Sequence, residues 1–175
     1  MTSIEKSTIR TEACFSKDRL HRYILRKEWD KNKKKAMIVM INPSYADELL
    51  MDYTTMYVIN NLLKLGFGVV EIANIFSRID IKINVKDSIE EFNDKENDRH
   101  ILKAAAKADY IIIAWGKAGE KNKKIQERQK KVLELLKEYN DRLYIIQDKL
   151  GRGGYHPLAP HIRFNWKLKK IDIKD

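Results

Sequence analysis

Four short apolar runs, rich in β-branched residues, constrain the fold of this chain more than any other feature. They are 36–41, 69–73, 110–114 and 143–146. Runs of this length that are mostly apolar are typical of parallel strands buried on both faces. The sequence therefore predicts an α/β fold, a three-layer α/β/α sandwich around a central, mainly parallel, four-stranded sheet.

Helical patterns lie between these runs. The first predicted helix has apolar residues at helical spacing, with Asp52 or Thr54 as its N-cap and Gly66 at its end. The second covers 95–107, and the third covers 120–139, where an apolar stripe lies opposite a lysine-rich face. Strands alternating with helices are typical of right-handed crossovers in a parallel sheet.

Two segments fall outside this pattern. Segment 21–26 has a mixed composition and could form an edge strand before the core. Segment 82–98 is polar and is predicted to be a mobile loop.

The length of 175 residues fits one domain, and no proline- or glycine-rich linker divides the chain. We therefore expect a single domain over residues 1–175. In it a basic segment, 1–35, packs on an α/β core, 36–160, and a basic tail, 161–175, follows.

The cysteine count and hydropathy bear on the compartment. A single cysteine, Cys14, excludes an internal disulfide framework and suits a reducing environment. The longest apolar run, 110–115, is far shorter than the ~20 residues that span a bilayer. The sequence predicts a cytoplasmic protein without a membrane partner.

The charge balance is strongly basic. Lys and Arg number 35 against 25 Asp and Glu, which gives a net charge of +10. Residues 1–35 carry 11 bases and 5 acids, and 149–175 carry 7 bases and 2 acids. Such a balance favours polyanionic partners, nucleic acid or nucleotide first, although a lysine-rich genome also produces such chains.

Polar residues follow each predicted strand. They occupy 42–47 with 52–55, 74–78, 115–119 and 149–158. Because ligands of open α/β sheets bind beyond the carboxyl ends of the strands, we expect these residues to share one edge.

These residue types suit a planar polar ligand. Asn42 and Asn74 can read the edge of a base, and His156 can donate to an oxyanion. Asp47 or Asp52 can orient a water molecule. Tyr45, Phe76 and Trp115 offer aromatic faces. Simpler roles stay open, because Asn42 can shape a turn, Asp52 can cap a helix, Trp115 can fill the core and His156 can be structural.

Several other chemistries lack their motifs. The chain has no P-loop, no Gly-x-Gly-x-x-Gly after a strand and no Gly-x-Ser-x-Gly elbow. His156, His161 and Asp148 do not have a familiar metal-ligand spacing. We predict neither a metal nor a cofactor.

A set of short motifs resembles a family of uncharacterised bacterial and phage proteins, a domain of unknown function. The motifs are Arg22-Tyr-x-Leu-Arg26 with Trp29, Asn42-Pro-Ser-x-Ala-Asp47, Asn74-x-Phe76, Trp115-Gly116 and His156-Pro-Leu158. The resemblance covers nearly the whole chain and implies a shared fold, without an activity.

The same order of motifs more distantly resembles the uracil-DNA glycosylase superfamily. Asn42-Pro43, Asn74 and His156-Pro157 occupy the places of its water-positioning turn, its base-reading Asn and its final His-Pro loop. Leu158 replaces the Ser of that final loop.

This resemblance implies roles for individual residues. Asn42, Asp47 and His156 would be catalytic, and Leu158 or Tyr155 would wedge the space left by a flipped base. The implied substrate-binding residues are Pro43, Ser44, Asp52, Asn74, Phe76, Trp115, Gly116 and Leu158. The implied nucleic-acid backbone contacts are Arg78, Lys117, Lys149, Arg152 and Arg163.

Two main functions follow as hypotheses. The first is a glycosylase-like enzyme that hydrolyses an N-glycosidic bond. The alternative is a non-catalytic module that binds nucleic acid or a nucleotide. An assembly protein whose basic face meets an acidic protein is a third possibility.

Overall fold

The computed structural model describes residues 2–79, 88–117 and 119–173. The strands are β1 (Arg10–Phe15), β2 (Arg22–Glu28), β3 (Lys34–Met40), β4 (Phe67–Asn74), β5 (Tyr110–Ile113), β6 (Leu143–Gln147) and β7 (Lys167–Lys170). The helices are α1 (Tyr53–Lys64), α2 (Ile89–Phe92), α3 (Asn97–Ala105) and α4 (Lys123–Leu135), and a 3-10 helix covers Lys137–Arg142. The class is α/β, as predicted.

Within these ranges the strands form one mixed sheet of seven, in the order β1-β2-β4-β3-β5-β6-β7. β3 pairs in parallel with β4 and β5, and β5 pairs in parallel with β6. β1, β2 and β7 pair antiparallel to their neighbours. The predicted four-stranded sheet was therefore too small.

The additional strands lie at the two sides of the sheet. The predicted edge strand 21–26 is β2, but β1 lies outside it. β1 and β7 alternate polar with apolar residues or are largely exposed, as edge strands commonly are. Neither therefore has the continuous apolar run by which the four inner strands were found.

Apolar side chains cover both faces of the sheet. On one face Met37, Val39 and Ile111 pack with Ile101 of α3 and Val132 of α4. On the other, side chains of the same inner strands pack with α1; they include Ala36, Ile38, Ile112, Val58 and Leu62. This two-sided burial explains why the inner strands are apolar throughout.

The helices begin and end where local chemistry dictates. Asp52 is the N-cap of α1, and its Oδ1 accepts a hydrogen bond of 2.7 Å from the Thr55 N–H. Gly66, after α1, has a φ of +80°. α4 is shorter than predicted because the chain tightens into the 3-10 helix. Among the described residues, no helix combines the length and apolarity that a membrane span requires.

The predicted loop 82–98 lies only partly within the described residues. Residues 82–87 lie outside the described residues. The rest contains α2 and the start of α3, so the prediction of a loop there was wrong. Phe92 of α2 is fully buried against Phe76, an apolar contact that a polar average over the segment conceals.

Candidate ligand-binding site

The carboxyl ends of the parallel strands form the candidate site. β3 lies between β4 and β5, so the chain leaves β3 for one neighbour and returns past it to the other. A reversal of this kind opens a crevice between the loop that follows β3 and the loop that follows β5. The loops after β3, β5 and β6 supply most of the residues described below.

A small polar cavity, the inner niche, lies at this edge. It has a volume of about 40 Å³, a little more than the ~30 Å³ that one water molecule occupies in the liquid. It is lined by Arg22, Met40, Asn42, Ser44, Asp52, Thr54, Thr55, Ile72 and His156. Residues that carry a carboxylate, a guanidinium, an amide, hydroxyls and an imidazole therefore surround one space.

Asp52 is the acidic residue of the inner niche. Its Oδ1 accepts from the Thr55 N–H, and its Oδ2 accepts from the Ser44 hydroxyl. Burial acts to raise the pKa of the carboxyl, but these hydrogen bonds, with the charge of Arg22, outweigh burial and lower the pKa. Asp52 is therefore an anion at neutral pH, with its oxygens oriented.

His156 lies against the loop that follows β5. A Cβ built on Gly116 would stand 2.9 Å from the Cβ of His156, and Gly116 has a φ of +64°. The His156 Nδ1 accepts a 3.2 Å hydrogen bond from the Leu158 N–H, so a neutral ring carries its proton on Nε2. Burial lowers the pKa of His156, which Asp52 partly opposes. At neutral pH the ring is an uncharged donor.

Arg22 reaches the inner niche through a bulge in β2. Cys14 pairs with Ile24 and Phe15 pairs with Arg22, which leaves Tyr23 without a partner on β1. The Arg22 guanidinium donates to the carbonyl of Ala46 and, over 3.4 Å, to the Asn74 Oδ1. Burial lowers the pKa of Arg22 to about 10, so it stays charged at neutral pH.

A larger cavity, the outer cleft, adjoins the inner niche. It measures about 650 Å³, within the range of roughly 300–1,000 Å³ typical of small-molecule sites. It is lined by Gly116, Lys117, Arg152, Gly153, Gly154, Tyr155, His156, Leu158, Ala159 and His161. His156 lines both cavities and so connects them.

Asp148 organises the loop that forms one wall of the outer cleft. Its carboxylate accepts hydrogen bonds from the Leu150 and Arg152 N–H groups, from the Arg152 guanidinium and from the Tyr155 hydroxyl. Burial acts to raise its pKa, but these donors outweigh burial and lower the pKa to about 2. Gly151 and Gly154 have φ values above +80°, which give the loop its tight turns.

Many residues predicted at the site meet in these two cavities. Asn42, Ser44, Asp52 and His156 line the inner niche. Gly116, Lys117, Arg152, His156 and Leu158 line the outer cleft. Pro43 is buried next to Asn42. The expectation of one shared edge thus holds for these positions, and their chemical roles stay predictions.

Two of the predicted roles do not fit the burial of the side chains. Phe76 is fully buried and packs edge-to-face on Phe92, so its ring is not available to stack on a ligand in this structure. Asn74 is 1% exposed and lies beside Arg22, outside the lining of both cavities. Asn74 at the end of β4 and Phe76 just after it are therefore buried in the protein interior, which the sequence pattern did not show.

Other predicted residues lie beside the cavities. The Asp47 carboxylate accepts from the Leu49 and Leu50 N–H groups and so shapes its own loop. Trp115 is half-buried and packs on the core. Of the cationic residues predicted to contact a nucleic-acid backbone, three lie outside the lining of both cavities: Arg78, Lys149 and Arg163. Arg163 donates to the carbonyl of Leu158 over 2.9 Å, next to the outer cleft.

The sequence analysis missed Arg22, Thr54 and Thr55 as site residues. Arg22 belongs to a motif of the resemblance, but its role depends on the bulge at Tyr23. Thr54 and Thr55 belong to the polar segment 52–55 that was expected at this edge, but Thr54 was interpreted only as a possible N-cap of α1, and Thr55 was given no role of its own. The distance in sequence between Arg22 and Asp52 leaves no local signal for this pair.

Within the described ranges, no group of three or more His, Cys, Asp or Glu residues is placed so that it could hold a metal ion.

Comparisons with other proteins give one match. No curated protein and no solved structure matches the chain, so the resemblance to the uracil-DNA glycosylase superfamily stays a prediction. Residues 22–158 match the family described as "Protein of unknown function (DUF1643)". That range runs from Arg22 to Leu158 and includes every residue of the inner niche. Since it spans well over half of the sequence, the chain belongs to this family.

Proposed function

We propose that this protein binds a nucleotide, free or within a nucleic acid, in the outer cleft. The observation that carries the proposal is the position of His156. It lines both a cleft of nucleotide size and a polar niche that holds an ionised carboxylate. A ligand in the outer cleft would therefore lie next to groups that can hydrogen-bond the edge of a base.

The lining of the outer cleft suits both parts of a nucleotide. Tyr155 and Leu158 provide apolar surface for the face of a base. Lys117 and Arg152 provide cations for the neighbouring phosphates of a nucleic acid, and the backbone of Gly153 and Gly154 carries no side chain to obstruct their approach. The net charge of +10 favours the same class of ligand.

Thermal-shift and binding measurements with nucleosides, nucleotides and short DNA or RNA test this proposal. A ligand that binds the folded state raises the melting temperature by mass action. Leu158→Asp places an acid in the lining of the outer cleft and should weaken binding by about tenfold or more. Leu150→Asp is the matched control, because Leu150 is 78% exposed and lies outside that lining.

Two outcomes would overturn the proposal. One is that none of these ligands stabilises the protein. The other is that Leu158→Asp and Leu150→Asp weaken binding equally, which would assign the effect to net charge. A true nucleic-acid complex should also weaken steeply with added salt, because neutralised phosphates release counterions.

A second candidate function is hydrolysis of an N-glycosidic bond, and the position of Asp52 and His156 in the lining of one polar niche supports it. Water would add to the anomeric carbon as the bond to the base breaks and its electron pair moves to the base. Asp52 would take the proton from the water, and the His156 Nε2–H would donate to the oxygen on which charge develops.

Release of free base from nucleosides, nucleotides and oligonucleotides with normal or altered bases tests this second function. Asp52→Asn and His156→Ala should reduce release by about a hundredfold or more. Asp141→Asn, at an exposed position outside the inner niche, should leave it unchanged. Absence of release from every substrate would leave a binding protein.

A further inference from the structure

Two fully buried cations lie beneath the loop between β3 and α1. Arg22 is 2% exposed and Lys27 is 1% exposed. Arg22 donates to the carbonyl of Ala46, and the Lys27 Nζ donates over 3.3 Å to the carbonyl of Asp47. The two side chains thus converge on successive carbonyls of one loop.

Neither cation has a partner of opposite charge in contact. In the part of the chain that the structure describes, no carboxylate lies within 4.0 Å of either one. Asp52 faces Ser44 and Thr55, and Asp47 turns to backbone N–H groups of its own loop. Burying a charge is costly, and burial lowers the pKa of both groups, although the carboxylates of Asp47 and Asp52 partly oppose that shift from a distance.

The same region holds more hydrogen-bond donors than acceptors. The Arg22 Nε and the Asn74 Nδ2 are buried without an acceptor among the described residues. Guanidinium, ammonium and amide groups supply ten N–H bonds in all. The acceptors that they reach are the carbonyls of Ala46 and Asp47 and the Asn74 Oδ1. Such a set is complementary to an anion with several oxygens.

The loop above the cations has an inverted polarity. Leu49 is 90% exposed, Leu50 57% and Met51 44%, whereas the cations lie inside. Folded proteins usually bury apolar side chains and expose Lys and Arg. The inversion suits a loop that moves when an anion takes the place of its carbonyls.

We propose that Arg22, Lys27 and the Asn74 amide form an anion subsite beneath this loop, which binds the phosphate group of the ligand. This inference rests on the proposed function, which supplies a phosphate-bearing ligand. Arg22 also lines the inner niche, and His156 connects that niche with the outer cleft. The subsite is therefore continuous with the place proposed for the base.

Inorganic phosphate is the first probe, compared with chloride at equal ionic strength. Phosphate should raise the melting temperature of the wild type, and Lys27→Met should bind it about tenfold more weakly or worse. Lys27→Met should itself fold with undiminished stability, because an apolar side chain of similar length replaces a buried unpaired charge. Lys31→Met removes the same charge from an exposed turn and should keep the phosphate effect.

A measurement on the wild-type protein tests the subsite without a substitution. Backbone amide signals of Ala46, Asp47 and Leu49 should shift in NMR spectra as phosphate is added. Unchanged signals, or an equal phosphate effect in Lys27→Met and Lys31→Met, would overturn the subsite. So would a marked loss of stability in Lys27→Met with its phosphate binding intact.

Further ligands separate this inference from the proposed function. A nucleoside without phosphate tests the outer cleft alone, and a nucleoside monophosphate or a short single-stranded DNA tests both. Nucleoside binding without any Lys27-dependent phosphate effect would sink only the subsite. A Lys27-dependent phosphate effect without binding of any base-containing ligand would sink only the proposed function.

Discussion

Gly116 and His156 touch where the end of β5 meets the final loop of the site, and a Cβ on Gly116 would stand 2.9 Å from the Cβ of His156. Real side chains do not approach so closely. The absence of a side chain at residue 116 therefore sets the position of the His156 ring, which lines both cavities.

Gly116→Ala should destabilise the fold and displace His156. The positive φ alone costs about 1–2 kcal/mol for a residue with a Cβ, and the contact with His156 adds to that cost. Urea denaturation gives the free energy of unfolding, and NMR signals of the His156 ring report its displacement. Gly66→Ala is the matched control, because Gly66 also has a positive φ but has no atom near its would-be Cβ. Equal costs and an unmoved ring in both variants would contradict the prediction.

Asp52→Asn should lower the pKa of His156 further. Burial already lowers that pKa below its usual value, and the Asp52 carboxylate partly opposes the shift. Titration of the imidazole signals by NMR should show the ring protonating at lower pH in the variant. Asp47→Asn should leave the curve where it is, because that carboxylate is engaged in its own loop. The same His156 titration curve in the wild type and in Asp52→Asn would show that the two groups do not interact.

Acid should weaken the fold through His156. Its pKa in the folded protein is lower than the roughly 6.5 of an unfolded histidine, so the unfolded chain binds a proton first. The contribution of neutral His156 to the free energy of unfolding is fully present above about pH 6.5, and it is lost as the pH drops below that value. Urea unfolding midpoints between pH 5 and pH 8 measure this, and His156→Gln should flatten the slope. The prediction fails if the slope is the same in the variant.

Asp148→Asn should loosen the loop around Gly151 and Gly154. The folded pKa of about 2 is below the roughly 3.9 of an unfolded Asp, so Asp148 stabilises the fold above about pH 4. That contribution is lost as the pH falls from about 4 to about 2. The variant should be less stable at pH 7 and less sensitive to acid, as measured by denaturation at several pH values. Asp141→Asn, at an exposed position, controls for the lost charge.

Phe76 should matter for stability and not for ligand contact. Phe76→Ala removes a fully buried ring and should lower the free energy of unfolding by about 3–5 kcal/mol. Phe76→Leu keeps much of the volume and should bind ligand as the wild type does. Calorimetry and a binding titration measure the two effects. A stable Phe76→Leu protein that no longer binds would restore the stacking role.

The inner part of the fold was predictable because burial on both faces leaves a continuous apolar run. The predicted 36–41, 69–73, 110–114 and 143–146 match β3, β4, β5 and β6 to within a few residues. β1 and β7 escaped because edge strands need no such run. Their pairing depends on the neighbouring strand, and a sequence pattern does not contain that information.

The sequence predicted the site residues whose positions depend on strand order. It did not predict those whose positions depend on tertiary packing. Asn42, Ser44, Asp52 and His156 meet because the carboxyl ends of parallel strands share an edge. The burial of Phe76 and the entry of Arg22 depend on how α2 and a bulge are placed. Neither leaves a periodic signal in the chain.

Because of the bulge at Tyr23, the number of residues in β2 determines whether Arg22 reaches the inner niche. Tyr23 stacks on His100 with 4.5 Å between ring centroids, and Ile24 packs on the same side of the sheet. With one residue fewer here, strict alternation would resume, and the side chain preceding Ile24 would point away from α3. A single-codon deletion or insertion in β2 can therefore redirect a whole set of side chains while each keeps its chemistry. The number of residues between Arg22 and Trp29, which follows β2, therefore matters to the site as much as the identity of either residue.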